Sequence, residues 1–147
     1  MDDIVHLLYQ ITSNGVWVII IAVFLFLLSV TKRKLIVLGI LILVLAVLNF
    51  IFGHELTNSL VYKYGKDGTA LISNIEKTND VYNYRPVMEY RIIISVAGDE
   101  KVNTTFRSDD FNVYPMPKTG YSYPRQGIPF SVKYMEKHPE VFIIVPQ

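Results

Sequence analysis

Two long apolar runs open the chain, separated only by Thr31-Lys32-Arg33-Lys34. The second, Leu35 to Gly53, holds 19 residues and no charge. At a rise of about 1.5 Å per residue it spans about 28 Å as a helix, close to the ~30 Å hydrocarbon core of a bilayer. The first is uncharged from Ile4 to Thr31 and densest from Val16 to Val30. Helices apolar on every side have no solvated face, so a small soluble protein has no place for two of them. The expected fold is a two-helix transmembrane hairpin followed by a small all-β domain. Its parts are a tail over 1–14, a hairpin over 15–53 (helices 15–31 and 35–53, loop 31–34), a linker over 54–64 and a β-domain over 65–147.

Beyond Gly65 the apolar period changes from helical to alternating. Met88, Tyr90, Ile92, Ile94 and Val96 fall on one face of a strand, with Glu89, Arg91 and Ser95 on the other and Ile93 as the exception. Gly98-Asp99-Glu100 makes a turn, after which Val102, Thr104 and Phe106 alternate with Asn103, Thr105 and Arg107. These two segments predict an antiparallel hairpin. A strand over Thr69 to Glu76 precedes it. Phe130, Val132 and Tyr134 alternate again, and Val141 to Val145 is a continuous apolar run. Five or six strands in so short a stretch predict a compact barrel or sandwich.

Charge separates the halves and orients the chain. Of 14 basic residues three lie in the 31–34 loop, leaving 11; of 13 acidic residues Asp2 and Asp3 lie in the tail, leaving 11. A balanced outer surface argues against a nucleic-acid face, which needs a clustered basic excess. Short loops rich in Lys and Arg stay in the cytoplasm, so Lys32, Arg33 and Lys34 place both termini on the other side. Lys63 and Lys66 oppose this placement. The expected location is a membrane crossed more than once, with the lipid bilayer as a partner. The acidic start and the missing small-residue cleavage pattern favour a retained helix over a cleaved signal. Cysteine is absent, which excludes disulfides and thiolate chemistry.

Helices in lipid pair through small residues. Ala22 and Ser29 are seven apart, as are Gly39 and Ala46, and seven residues return to nearly the same helix face. Counted from the loop, Ser29 matches the depth of Gly39 and Ala22 that of Ala46, which predicts an antiparallel seam; chance spacing is the competing reading. Trp17 suits the outer interface. Asn49 is the single amide in the second span, either part of a binding path or a hydrogen bond to the neighbouring helix. Neither span contains an ionisable residue, so the hairpin reads as an anchor and not as a transport path.

Three segments carry a resemblance: Gly68-Thr-Ala-Leu-Ile-Ser-Asn-Ile75, Tyr84-Arg-Pro-Val-Met-Glu-Tyr90 and Gly127-Ile-Pro-Phe-Ser-Val-Lys-Tyr134. They resemble the opening strand, central motif and closing strand of an uncharacterised bacterial family of membrane-anchored β-domain proteins, a domain of unknown function. Pro139 matches the proline after the closing strand. Glu136 departs from the usual proline there, and Tyr114 to Arg125 is richer in Pro and Tyr than the family pattern. The resemblance implies a fold and supplies no catalytic residue.

Candidate chemistry is sparse. His6, His54 and His138 are scattered without ligand spacing, so no metal or cofactor is expected. Asp99-Glu100 and Asp109-Asp110 fall at turns, where solvated acids are ordinary. Asn103-Thr104-Thr105 fits a glycosylation acceptor, though such triplets are common by chance. No nucleophile elbow, phosphate loop or dinucleotide fingerprint occurs, and an enzyme is not expected. The segment from Tyr114 to Gly127 concentrates tyrosines and prolines. Tyr114, Tyr121, Tyr123 and Arg125 are its candidate contacts for a protein partner. The competing reading is a connection whose tyrosines fold back over a small core. The leading function is an extracytoplasmic protein-binding module, in its sharpest form an immunity protein that neutralises a toxin. The alternatives are a structural subunit of a membrane complex and, behind it, an unrecognised enzyme or lipid-binding protein.

Overall fold

The computed structural model describes residues 1–30, 35–96, 100–117 and 121–146. The loop cations Lys32, Arg33 and Lys34 and most of the Gly98-Asp99-Glu100 turn lie outside the described residues. Three helices, α1 (Asp2–Ser13), α2 (Gly15–Val30) and α3 (Ile36–Tyr64), precede five strands: β1 (Lys66–Tyr82), β2 (Arg85–Ser95), β3 (Lys101–Arg107), β4 (Phe130–Met135) and β5 (His138–Ile144). They fall into a helical unit, Ile4–Thr57, and a β unit, Met1–Asp3 with Asn58–Gln147.

The helical unit departs from the expected hairpin in three ways. The tail is itself a helix, α1, which meets α2 at 80°. Side chains at the junction explain the break. Ser13 Oγ donates to the Tyr9 carbonyl at 2.8 Å and Asn14 Nδ2 to the Gln10 carbonyl at 2.8 Å. Both side chains bond back to carbonyls one turn earlier, a pattern that bends helices, although the Gln10 carbonyl also accepts the Asn14 backbone N–H at 3.2 Å. Secondly, α2 has 16 residues, about 24 Å, and falls short of a span by itself. Among the described residues α3 is the one helix long and apolar enough to cross a membrane alone, so the two-span hairpin is reduced to one clear span and a bent pair. Thirdly, the helix does not end at 53: α3 runs on through residues 54–64, the expected linker. They contain neither Gly nor Pro, and nothing stops the helix before Gly65.

In the β unit every pairing between strands is antiparallel and the order is β3-β2-β1-β4-β5. The expected β2–β3 hairpin is present, from Glu89 opposite Arg107 to Ser95 opposite Lys101. Its alternation is visible as burial of Tyr90, Ile92 and Ile94. Strand β1 is longer at both ends than Thr69 to Glu76: Lys77, Val81 and Tyr82 pair with β2, and Lys66 to Ala70 pair with β4. Gly68 permits this: a Cβ there would lie 2.8 Å from the Tyr134 ring, which lies close across that strand. Register shifts between Ile72 and Asn74 and between Lys77 and Val81 add local twist to β1. The sheet curls until its outer strands approach, and Phe106 of β3 meets Phe142 of β5 edge-on at 5.9 Å. The result is a near-barrel. Its core comprises Ala70, Ile72, Tyr90, Ile92, Ile94, Phe106, Val113, Phe130, Val132, Tyr134, Phe142 and Ile144. Strand β5 is buried on both faces, as its continuous apolar run requires. Its outer edge is paired too: Ile144 N donates to the Asn112 carbonyl and Tyr114 N to the Ile144 carbonyl.

Candidate functional site

Of the two readings of the Tyr/Pro segment, a contact surface or tyrosines folded back over the core, the packing of Tyr121 and Tyr123 follows the second. Tyr121 and Tyr123 pack against the core. The Tyr90 and Phe106 rings stack at 4.7 Å, and Tyr123 lies 5.0 Å from the first and 5.4 Å from the second. Tyr121 meets Tyr123 edge-on at 5.4 Å, and the Tyr123 hydroxyl donates to the Ser108 carbonyl at 3.3 Å. Burial raises the Tyr123 phenol well above its ordinary range, with Tyr90 and Asp110 adding to the shift. Tyr114 is half-buried against Tyr62, edge-on at 5.5 Å. Of the four candidates only Arg125 is exposed. The physical reason is sheet size: five strands curl without closing, and apolar surface beside β2 and β3 must be covered by something. The tyrosines supply the cover.

A different surface is presented at the β1–β2 turn. Asn83 and Tyr84 both have positive φ, 49° and 62°, as a two-residue turn of the mirror-image type requires. Asparagine tolerates this conformation; tyrosine is strained in it. The Tyr84 side chain is fully exposed and Val81 is 70% exposed, so packing does not explain the choice. Beside them Tyr82 meets Phe111 edge-on at 5.7 Å. Phe111 also has positive φ, 53°, and its carbonyl accepts from Asn58 Nδ2 at 2.6 Å. Behind the turn Arg107 pairs with Asp80 at 2.7 Å and with Asp109 at 3.0 Å, while its backbone N–H donates to Asp110 at 2.6 Å. The Asp109-Asp110 pair, expected to be merely solvated, therefore braces the root of this hairpin. Tyr82, Asn83 and Tyr84 escape sequence reading because the usual signal, Asn followed by Gly, is absent.

Around His138 the β unit gathers a second polar cluster. His138 Nε2 lies 3.4 Å from Asp3 and Nδ1 3.4 Å from Glu140, while Asp2 accepts from the Lys137 N–H at 3.1 Å. The hydrogen bond from His138, then the charge of Lys137, lowers the Asp3 carboxyl below its usual range. This ties the N-terminal residues to the β4–β5 turn. The distance in sequence between Asp3 and His138 hid it.

In the helical unit Ala22, Ser29, Gly39 and Ala46 are all buried, amid helices whose large side chains are mostly exposed. Gly39 faces Ser29 so closely that a Cβ on it would overlap Ser29 Oγ and lie 2.9 Å from Ser29 Cβ. Ser29 Oγ donates to the Phe26 carbonyl at 2.6 Å. Asn49 accepts from the Thr12 hydroxyl at 3.3 Å, a bond between α1 and α3. Its Nδ2 is buried and has no hydrogen-bond partner.

Comparison with known proteins finds no matching family model, no similar curated protein and no similar solved structure.

Proposed function

We propose that this chain is a membrane-anchored binding module whose β unit works outside the cytoplasm, at a bacterial inner membrane, by surface recognition and without catalysis. One observation carries the reading. Helix α3 exposes large apolar side chains on every face but the one that buries Gly39, Ala46 and Gly53, Val37 at 78% and Ile51 at 60%, and continues unbroken to the first strand. Such a surface is stable only in lipid or under protein. The cations Lys32, Arg33 and Lys34 support the orientation with both termini out. The resemblance to membrane-anchored β-domain proteins supports the same architecture, its three segments falling on β1, on the Tyr84 turn with β2, and on β4 with the residues leading into it.

Recognition is assigned to the β1–β2 turn, with Val81, Tyr82 and Tyr84 as contacts and exposed Arg85 beside them. Tyrosine and arginine dominate interface hot spots, and a strained residue retained without a packing role marks a functional position. A toxin neutralised by an immunity protein is the sharpest partner. A subunit of a membrane complex is the second, favoured by the exposed apolar faces of α2 and α3. Leucine substitutions at Ala22, Ser29, Gly39 and Ala46 do not separate these two, because those positions are filled by packing within the chain.

The test uses full-length protein in membranes. Protease added to intact spheroplasts should digest the β unit, and a photo-crosslinking residue at position 84 should give a discrete adduct that one at Glu140 does not. Full protection of the β unit refutes the orientation. Equal or absent crosslinking at 84 refutes the contact assignment.

A further inference from the structure

We propose that the helical unit carries a phospholipid site, in which one acyl chain lies along α2 and α3 while Asn49 donates from Nδ2 to the lipid ester carbonyl. The inference rests on the membrane reading above and adds the ligand. An apolar cleft of about 430 Å³ is lined by Leu8 and Ile11 of α1, Ala22 of α2, and Ala46 and Asn49 of α3. A second apolar pocket of about 320 Å³, lined by Leu28 and Leu35, adjoins the first, and Leu25 and Ile42 line both. From Leu35 to Asn49 is about 21 Å along the helix, longer than the ~15 Å half-thickness of a hydrocarbon core. One leaflet's acyl chain fits that length.

The wall is apolar except at two side chains. Ser29 satisfies its own hydroxyl on the Phe26 carbonyl. Asn49 does not: its carbonyl oxygen accepts from Thr12, and its Nδ2 has no acceptor. A buried amide donor without an acceptor is costly, and it persists where a ligand completes it. Hydrocarbon offers no acceptor, and the backbone carbonyls of another spanning helix are already used in its own ladder. An ester carbonyl is the acceptor that accompanies an acyl chain. Asn49 sits four residues before Gly53, at the end of the uncharged run, which is the depth where ester groups meet hydrocarbon. Helix α1, bent 80° from α2, brings Leu8 and Ile11 to this same end and closes the cleft on a third side.

The experiment incubates delipidated full-length protein in detergent with palmitoyl-oleoyl phosphatidylethanolamine or its diether counterpart, and counts retained lipid by native mass spectrometry. One hydrogen bond predicts about fivefold more ester lipid than diether lipid on the wild type. Asn49→Leu should hold both equally, Asn49→Gln should keep the preference, and Ile42→Trp, at the junction of the two parts, should hold neither. If Asn49→Leu does not accumulate, the ester-to-diether ratio on the wild type decides alone. Equal retention of both lipids by the wild type overturns the proposal. So does retention of neither by a protein that resists carbonate extraction, since the cleft then belongs to a helix or stays closed. A wild type that carbonate releases into solution shows instead that the membrane reading failed.

Discussion

Replacing Gly39 with alanine should loosen the helical unit, and Ser29 sets by how much. The new Cβ would lie 2.9 Å from Ser29 Cβ and 3.3 Å from the Phe26 Cα, and would overlap Ser29 Oγ. Contacts under 3 Å between carbons are not tolerated, so α2 and α3 must separate or Ser29 must leave its bond to Phe26. Overpacking of this kind costs about 1–3 kcal/mol. Against it stands the better helix propensity of alanine, worth about 1 kcal/mol over glycine. The net effect in wild type is a loss of roughly 0–2 kcal/mol. In a Ser29→Gly background the clash with Oγ and Cβ disappears, and the same substitution should stabilise by up to about 1 kcal/mol. The difference between backgrounds, a coupling of about 1–3 kcal/mol, is what a double-mutant cycle isolates. Detergent-driven unfolding followed by far-ultraviolet circular dichroism measures all four variants. If Gly39→Ala has the same effect in both backgrounds, the close approach of these two residues is wrong.

Three further outcomes are expected. Tyr123→Ala should cost about 2–3 kcal/mol in thermal unfolding, because the ring contacts Tyr90, Phe106 and Tyr121; Tyr123→Phe, which removes only the bond to Ser108, should cost under about 1 kcal/mol. Tyr84→Gly should raise the unfolding free energy by about 1 kcal/mol, by relieving the positive φ, while reducing crosslinking of a partner at the turn. Alkali should destabilise the β unit in a defined window. The buried Tyr123 phenol keeps its proton above the usual range, so folding holds a proton that the unfolded chain releases above a pH of about 10. Stability is therefore full below that pH and declines as pH rises beyond it; phenolate absorbance should appear with unfolding, and Tyr123→Phe should flatten the decline.

Several features were legible because local chemistry alone enforces them. Alternation in Tyr90, Ile92 and Ile94 marks a half-buried strand wherever it lies, and the β2–β3 pairing follows from two such segments close in sequence. Small residues seven apart lie on one helix face, and Ala22, Ser29, Gly39 and Ala46 are all buried. The bend after Ser13 was not legible. Two side-chain hydrogen bonds, to the Tyr9 and Gln10 carbonyls, accompany it, and the apolar run passes through without a break in pattern. The helical course of residues 54–64 was missed for the opposite reason: polar composition reads as a linker, although nothing in it terminates a helix.

The candidate site divides along the same line. By itself the chain determined two physical regimes, an apolar stretch with no solvated face and a balanced, alternating stretch that must bury one face, since both depend only on periodicity and charge. Which tyrosines meet solvent was decided by tertiary structure. Tyr121, Tyr123 and Tyr84 are chemically identical in sequence, but a sheet that curls without closing draws the first two over Phe106 and Tyr90, while a two-residue turn leaves the third nothing to touch. Burial of a side chain depends on what distant segments bring to it, and that information exists only once the chain has folded.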